Sequence, residues 1–420
     1  MNLKTRLIVM NFLQFAVWGA YLTSMGSYLV TIGMAQQIGL FYAMQGIVSL
    51  FMPALLGIVA DRWIPAQKML GICHLVAAVF MILTAWYGAT AEGGVDFATI
   101  FSLYSLSVAF YMPTIALSNS VAYTALRQAG MDTVKDFPPI RVFGTVGFIL
   151  TMWFVDIMGF QTNHWQFVTS AVIGIVLFLY SFTLPQCPVA KGDEHRSLSE
   201  AFGLQAFTLF RQKQMALFFI FSMLLGVSLQ ITNGYANPFI SSFASEAEFA
   251  DTFGVQHANI LISLSQISET LCILLIPFCM KHFGIKNVML ISMLAWVLRF
   301  SLFGLGDPGS GVWMFILSMI VYGVAFDFFN VSGSLFVDQN TAPEIRSSAQ
   351  GLFMLMTNGI GGTIGVIAAQ QIINAYTHGI TIGDQFYTVG EWPTCWFIFS
   401  AYALVVGLVF ALVFHPQKLK

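Results

Sequence analysis

The sequence predicts an all-α integral membrane protein of twelve transmembrane helices arranged as two six-helix halves. Three observations predict it. The 420-residue chain is 57% hydrophobic and 9% charged, with a mean hydropathy of +0.79, whereas a soluble domain carries about 25% Asp, Glu, Lys and Arg. Apolar runs long enough to cross roughly 30 Å of hydrocarbon, about 20 helical residues each, recur along its whole length. The basic residues, finally, sort to alternate loops, as they do when they mark the cytoplasmic ends of spans.

The runs fall near residues 6–30, 38–60, 69–89, 97–126, 140–160 and 165–185, then 214–243, 256–280, 287–306, 312–337, 346–376 and 393–415. The first follows Lys4 and Arg6 like a signal peptide, but it is too long for an h-region and no small-residue cleavage site follows it. It is therefore expected to stay as the first span. The long polar interruption at 186–213 separates residues 1–185, the N-terminal half, from residues 214–420, the C-terminal half. Within it Leu198, Ala201, Phe202, Leu209 and Phe210 would give a helix over Ser197–Arg211 an apolar stripe suited to the membrane surface. The alternative is that this stretch extends the seventh span.

With the N-terminus inside, Lys4, Arg6, Arg62, Lys68, Arg127, Lys135, Lys191, Arg196, Arg211, Lys213, Lys281, Lys286, Arg346, Lys418 and Lys420 all fall on the cytoplasmic side or at its border. The opposite loops hold acids, among them Glu92, Asp96, Glu246, Glu248, Asp251, Asp307, Asp384 and Glu391. Only Arg141 and Arg299 are left, both inside spans. Both termini are thus expected in the cytoplasm. A transmembrane barrel would need ten-residue segments of alternating polarity, which continuous runs such as Met215–Gly226 do not provide.

Several function classes drop out. A net charge of −2 offers no field for nucleic acid. The five cysteines form no CxxC pair, and the seven histidines make neither HxxxH nor HExxH, so neither a disulfide framework nor a metal site is expected. No nucleophile and base pair marks an enzyme, and no cofactor motif appears.

A charge deep in a bilayer is costly, so each is a candidate functional residue. Glu269 lies 13 residues after Gln256 and Asp327 lies 14 after Trp313, which puts both about 20 Å from the outer ends of the eighth and tenth spans. Around them polar residues share helix faces: Gln230, Asn233 and Asn237 on the seventh span, Gln266 with Glu269 on the eighth, and Arg141, Thr145 and Phe148 on the fifth. Tyr322 and Phe326 stand one turn apart on the tenth. Structural acids and helix-joining amides are the plainer alternatives, notably for Asn237 and Thr145. Amides offer donors and acceptors together, aromatic faces suit a flat base, and a carboxylate can accept from hydroxyls. The solute is therefore expected to be neutral, planar and hydroxyl-rich. A phosphorylated one would need several cations at this depth, and only Arg141 is at hand. Free sugars or polyols fit the same residue types, and a membrane receptor that transports nothing is a third reading.

Two six-helix halves around a mid-membrane site resemble the major facilitator superfamily. Gly57-Ile58-Val59-Ala60-Asp61-Arg62-Trp63 resembles its GxxxDRxG loop, with Trp63 where glycine is usual. More specifically, Phe51-Met52-Pro53-Ala54-Leu55-Leu56-Gly57, Asp136-Phe137-Pro138-Pro139-Ile140-Arg141, Leu229-Gln230-Ile231-Thr232-Asn233, Ser265-Gln266-Ile267-Ser268-Glu269-Thr270 and Ala325-Phe326-Asp327-Phe328-Phe329-Asn330 resemble the bacterial nucleoside:proton symporters. The resemblance runs through both halves and departs at Gly234-Tyr235-Ala236-Asn237-Pro238. It implies import of nucleosides with protons through the cytoplasmic membrane by a monomer. It implies a substrate site at Arg141, Thr145, Phe148, Gln230, Asn233, Gln266, Glu269, Tyr322 and Phe326, with Glu269 and Asp327 as the proton-coupling acids.

Overall fold

The computed structural model describes residues 2–91, 93–188, 204–341 and 346–415. Among them, nine helices are long and apolar enough to cross a membrane, and Trp165–Ser181 is a shorter apolar one. The chain divides into two compact units, one formed by Met1–Met34 with Ile47–Ser197, the other by Ala35–Gly46 with Leu198–Lys420.

The first unit contains α1 (Leu3–Gly19), α2 (Met25–Thr31), α4 (Met52–Arg62), α5 (Ala66–Thr90), α6 (Phe97–Gln128), α7 (Thr133–Ile157) and α8 (Trp165–Ser181). Helix α3 (Ile38–Ser49) begins in the second unit and ends in the first. The first span is thus not one helix. Residues 20–24 turn between α1 and α2, and the Ser24 hydroxyl donates to Gln166 at 3.0 Å. The second span also divides. Pro53, at the start of α4, has no N–H to return to the preceding turn, so α3 ends at Ser49. Leu7, Met10, Leu70, Cys73 and Val121 form the core where α1, α5 and α6 meet. At one end of this unit Lys4 pairs with Asp136 at 2.7 Å.

The second unit contains α9 (Lys213–Ser242), α10 (Ala258–Cys272), α11 (Ile276–Leu305), α12 (Val312–Gln339), α13 (Arg346–Met354), α14 (Gly362–Tyr376) and α15 (Trp392–Val413). Helix α11 is two helices meeting at Gly284, whose φ of +73° is open to a residue without a Cβ. The break falls between the expected runs at 256–280 and 287–306. Helix α10 tightens into a 3-10 turn at Ile273–Leu275 just before Pro277. Between α13 and α14 the chain forms a π-helix, Leu355–Gly361, a wider coil often found at functional sites. Gly226 on α9 lets that segment approach, since a Cβ there would overlap the Thr357 carbonyl. An aromatic core of Phe239, Phe303, Phe315, Trp392 and Trp396 fills one end of this unit.

One expectation needs correction. The chain is not wholly helical: β1 (Thr377–Ile382) and β2 (Gln385–Gly390) pair antiparallel around a two-residue turn at Gly383-Asp384. Ile380 opposite Tyr387 and Thr381 opposite Phe386 are strand-forming pairs, but the segment is too short to register beside spans of 20 residues. The linker helix is described only in part. Its first part, Ser197 with Leu198, Ala201 and Phe202, lies outside the described residues, and Leu204–Arg211 is a 3-10 helix packed on α9 and α13. Gln212, in an extended conformation, stands between this 3-10 helix and α9.

Candidate functional site

In the first unit, α7 presents Arg141, Thr145 and Phe148 within two turns. The Arg141 guanidinium lies 3.8 Å from the centre of the Phe15 ring. Phe148 is buried and meets the edge of Trp18 at 6.4 Å, and Trp18 in turn lies against Tyr111 at 6.0 Å. Behind these rings is a buried polar chain. The Tyr111 hydroxyl donates to the Gln14 carbonyl at 2.9 Å, and Gln14 Nε2 donates to Thr114 Oγ1 at 2.7 Å. Gln14 Oε1 thus faces His74, whose Nε2 must be the donor across 2.7 Å. Sequence reasoning missed Gln14, Phe15, Trp18 and His74. The available signal was the i, i+4 spacing of Gln14 and Trp18 on the first span.

In the second unit, α9 carries Gln230 and Asn233 on one face, joined by a bond of 3.1 Å from Asn233 Nδ2 to Gln230 Oε1. Asn237 is different. It is fully buried and donates to Asn259 Oδ1 at 2.8 Å, so it joins α9 to α10 as its plainer reading held. Helix α10 carries Gln266 and Glu269, both part-buried. Gln266 Oε1 is out of solvent and accepts no hydrogen bond. Helix α12 carries Tyr322, Phe326 and Asp327. The Tyr322 and Phe326 rings stack at 5.5 Å and 14°. Asp327 is 3% exposed, its Oδ2 accepts no hydrogen bond, and Glu269 lies within electrostatic range of both Asp327 and Tyr322.

The two carboxylate helices are held tightly. Gly323 on α12 sits against the Ser268 backbone, and the Ser268 hydroxyl donates to the Ile320 carbonyl. Arg299 on α11, which the sequence left without a role, lies against Tyr322. The second unit therefore brings together Glu269, Asp327, Tyr322 and Phe326, and separately joins Gln230 to Asn233. Arg141, Thr145 and Phe148 are grouped in the first unit. No group of three or more metal-ligating side chains occurs among the described residues.

Comparison with known proteins gives this arrangement a context. The model of the nucleoside H+ symporter family matches residues 1–419. The chain belongs to that family. It is 48% identical over 424 residues to the nucleoside permease NupG of Escherichia coli K12, covering 100% of this chain and 98% of that one. With the xanthosine permease of the same organism it shares 44% identity over 427 residues, covering 100% and 99% of the two chains. A crystal structure of the nucleoside transporter NupG superposes with a TM-score of 0.88 at 46% identity, covering 99% of this chain and 100% of that one. The inward-open xylose transporter XylE of E. coli, at 13% identity and a TM-score of 0.68, covers 98% and 96% and shares the fold.

Family membership accounts for the absence of enzyme motifs: these are membrane permeases rather than catalysts. It also matches the resemblance carried by Leu229–Asn233, Ser265–Thr270 and Ala325–Asn330, of which the last two hold the unbonded acceptors Gln266 Oε1 and Asp327 Oδ2.

Proposed function

We propose that the chain imports nucleosides together with protons across the bacterial cytoplasmic membrane, as a monomer surrounded by lipid, with both termini inside. In this reading the chain has twelve spans in two six-helix halves, residues 1–185 and 214–420 joined by a cytoplasmic linker at 186–213, which rock to expose a central site to each side in turn. Arg141, Thr145, Phe148, Gln230, Asn233, Gln266, Glu269, Tyr322 and Phe326 bind the nucleoside. The base stacks on Phe148 and Phe326, the amides read its edge, and Glu269 accepts from the ribose while also exchanging the proton, with Asp327 as its closest rival in that role.

The observation that carries this reading is the pair of buried, unsatisfied acceptors, Gln266 Oε1 and Asp327 Oδ2, on helices that also present a carboxylate and a stacked aromatic pair. Buried acceptors are expensive to leave unbonded unless a ligand or proton fills them. Membership of the nucleoside H+ symporter family and the likeness to nucleoside and xanthosine permeases agree with it.

Uptake of labelled uridine by cells making the protein tests the reading, with competition by nucleosides, free bases, ribose and nucleotides. Nucleosides should compete, and ribose and nucleotides should not. Competition by ribose alone would point to a sugar transporter, and no competition by any nucleoside would overturn the proposal.

A further inference from the structure

Arg299 is a cation inside a spanning helix, 2% exposed, and among the described residues it meets no carboxylate at salt-bridge distance. Its contacts are specific. Nη1 donates to the Ser318 carbonyl at 2.7 Å, and the Ser318 hydroxyl returns a bond to the Arg299 carbonyl at 3.0 Å. The same Nη1 reaches Ser265 Oγ at 3.5 Å. Ser318 and Ser265 each lie one helical turn before a site residue, Tyr322 on α12 and Glu269 on α10. The guanidinium itself lies 4.6 Å from the centre of the Tyr322 ring, while Trp296, one turn earlier on α11, meets Tyr322 edge-on at 6.0 Å.

A buried cation is costly, and a bond to a helix carbonyl could be supplied by a neutral side chain. What a neutral side chain cannot supply is a planar charge laid on an aromatic face, an attraction that strengthens when the pair is desolvated. Arg299 and Trp296 thus bound Tyr322 on the side of α11, and Phe326 stacks on it along α12.

We propose that Arg299 is a positioning residue of the nucleoside site: it touches no substrate, but fixes the Tyr322 ring and holds the turns that carry Tyr322 and Glu269 in register. This rests on the reading of Tyr322 as a nucleoside contact. Lysine can keep the charge and the bond to the Ser318 carbonyl, yet its compact ammonium cannot lie flat on the ring. Arg299→Lys therefore separates positioning from the need for a buried cation.

The test is a double-mutant cycle on uridine affinity, measured on purified protein, with Arg299→Lys, Tyr322→Leu and the combination. Arg299→Lys is expected to weaken binding about tenfold in the wild-type background and less than twofold once Tyr322→Leu is present. Equal losses in the two backgrounds would show that Arg299 acts elsewhere, and unchanged affinity of Arg299→Lys would also overturn the proposal while leaving the nucleoside site intact. Wild-type affinity of Tyr322→Leu would remove Tyr322 from the site, and Arg299 with it. If Arg299→Lys is not recovered in the membrane, Arg299→Gln completes the same cycle; recovery of neither would make Arg299 a folding residue and contradict the proposal.

Discussion

Asn233 donates its side-chain amide to Gln230 Oε1 at 3.1 Å, one turn away on α9. That bond uses the Gln230 oxygen and the Asn233 amide, and leaves the Gln230 NH₂ as a donor and the Asn233 carbonyl as an acceptor, the pattern that a base edge can meet. A net hydrogen bond contributes about 0.5–1.5 kcal/mol, so Gln230→Ala and Asn233→Ala should each weaken uridine binding roughly threefold to tenfold. The two share a bond, and the double variant should lose less than the product of the singles. Calorimetric titration of the purified variants checks this.

The aromatic contacts carry a larger expectation. Stacking of a base on an aromatic side chain is worth about 1–3 kcal/mol, and Phe326→Ala and Phe148→Ala should each lower nucleoside affinity by that much while the protein still reaches the membrane. Trp18→Leu, which removes the ring against which Phe148 rests, should produce a milder loss of the same kind. Normal affinity in both phenylalanine variants would assign these rings to packing.

The approach of α9 to the π-helix sets a stability prediction. A Cβ at Gly226 would overlap the Thr357 carbonyl, which is backbone and cannot swing aside. Gly226→Ala should therefore destabilise the protein by about 1–3 kcal/mol, the usual cost of overpacking. Thermal unfolding in detergent reads the loss directly, and an unchanged midpoint would contradict the packing described.

One pH dependence lies outside the spans. Asp96 caps α6, accepting from the Thr99 N–H at 2.9 Å, and that bond holds its carboxyl below the usual carboxylate range. A carboxyl whose folded-state affinity for protons is lowered stabilises the fold above its unfolded value and loses that contribution as the pH falls through the folded one. Asp96→Ala should thus unfold more readily near neutral pH, with the difference from the wild type vanishing in acid. A constant difference across the pH range would exclude the cap.

Much of this molecule is legible in the sequence because lipid imposes a strict period and length. Long uninterrupted runs such as Phe97–Gln128, Lys213–Ser242 and Val312–Gln339 fall within a few residues of where hydropathy puts them. What hydropathy cannot show is where a span breaks. The turn at 20–24, the gap between Ser49 and Met52 and the π-helix at Leu355–Gly361 leave the average polarity unchanged, since each depends on a local proline or on a partner helix. The site divides in the same way. Glu269 and Asp327 stand out because charge is rare at that depth. Gln14, Trp18 and His74 belong to the common polar and aromatic background of α1 and α5, and only their contacts with Tyr111, Thr114 and Phe148 connect them to the site.

The central claim is that an acid beside Tyr322 couples proton flow to nucleoside movement. One charge crossing 100 mV supplies about 2.3 kcal/mol, enough for roughly fiftyfold accumulation before any pH gradient is added. A symporter must carry that charge on a group that alternately binds and releases a proton; the proposed group is Glu269, which lies within electrostatic range of both Asp327 and Tyr322. The direct test is uridine uptake into proteoliposomes under an imposed pH gradient, beside exchange of labelled for unlabelled uridine with no gradient. Glu269→Gln should exchange uridine but fail to concentrate it, while the wild type does both. Concentration by Asp327→Asn but not by Glu269→Gln agrees with this assignment, and the reverse pattern moves the proton to Asp327. Undiminished, gradient-driven accumulation in both variants would contradict the account.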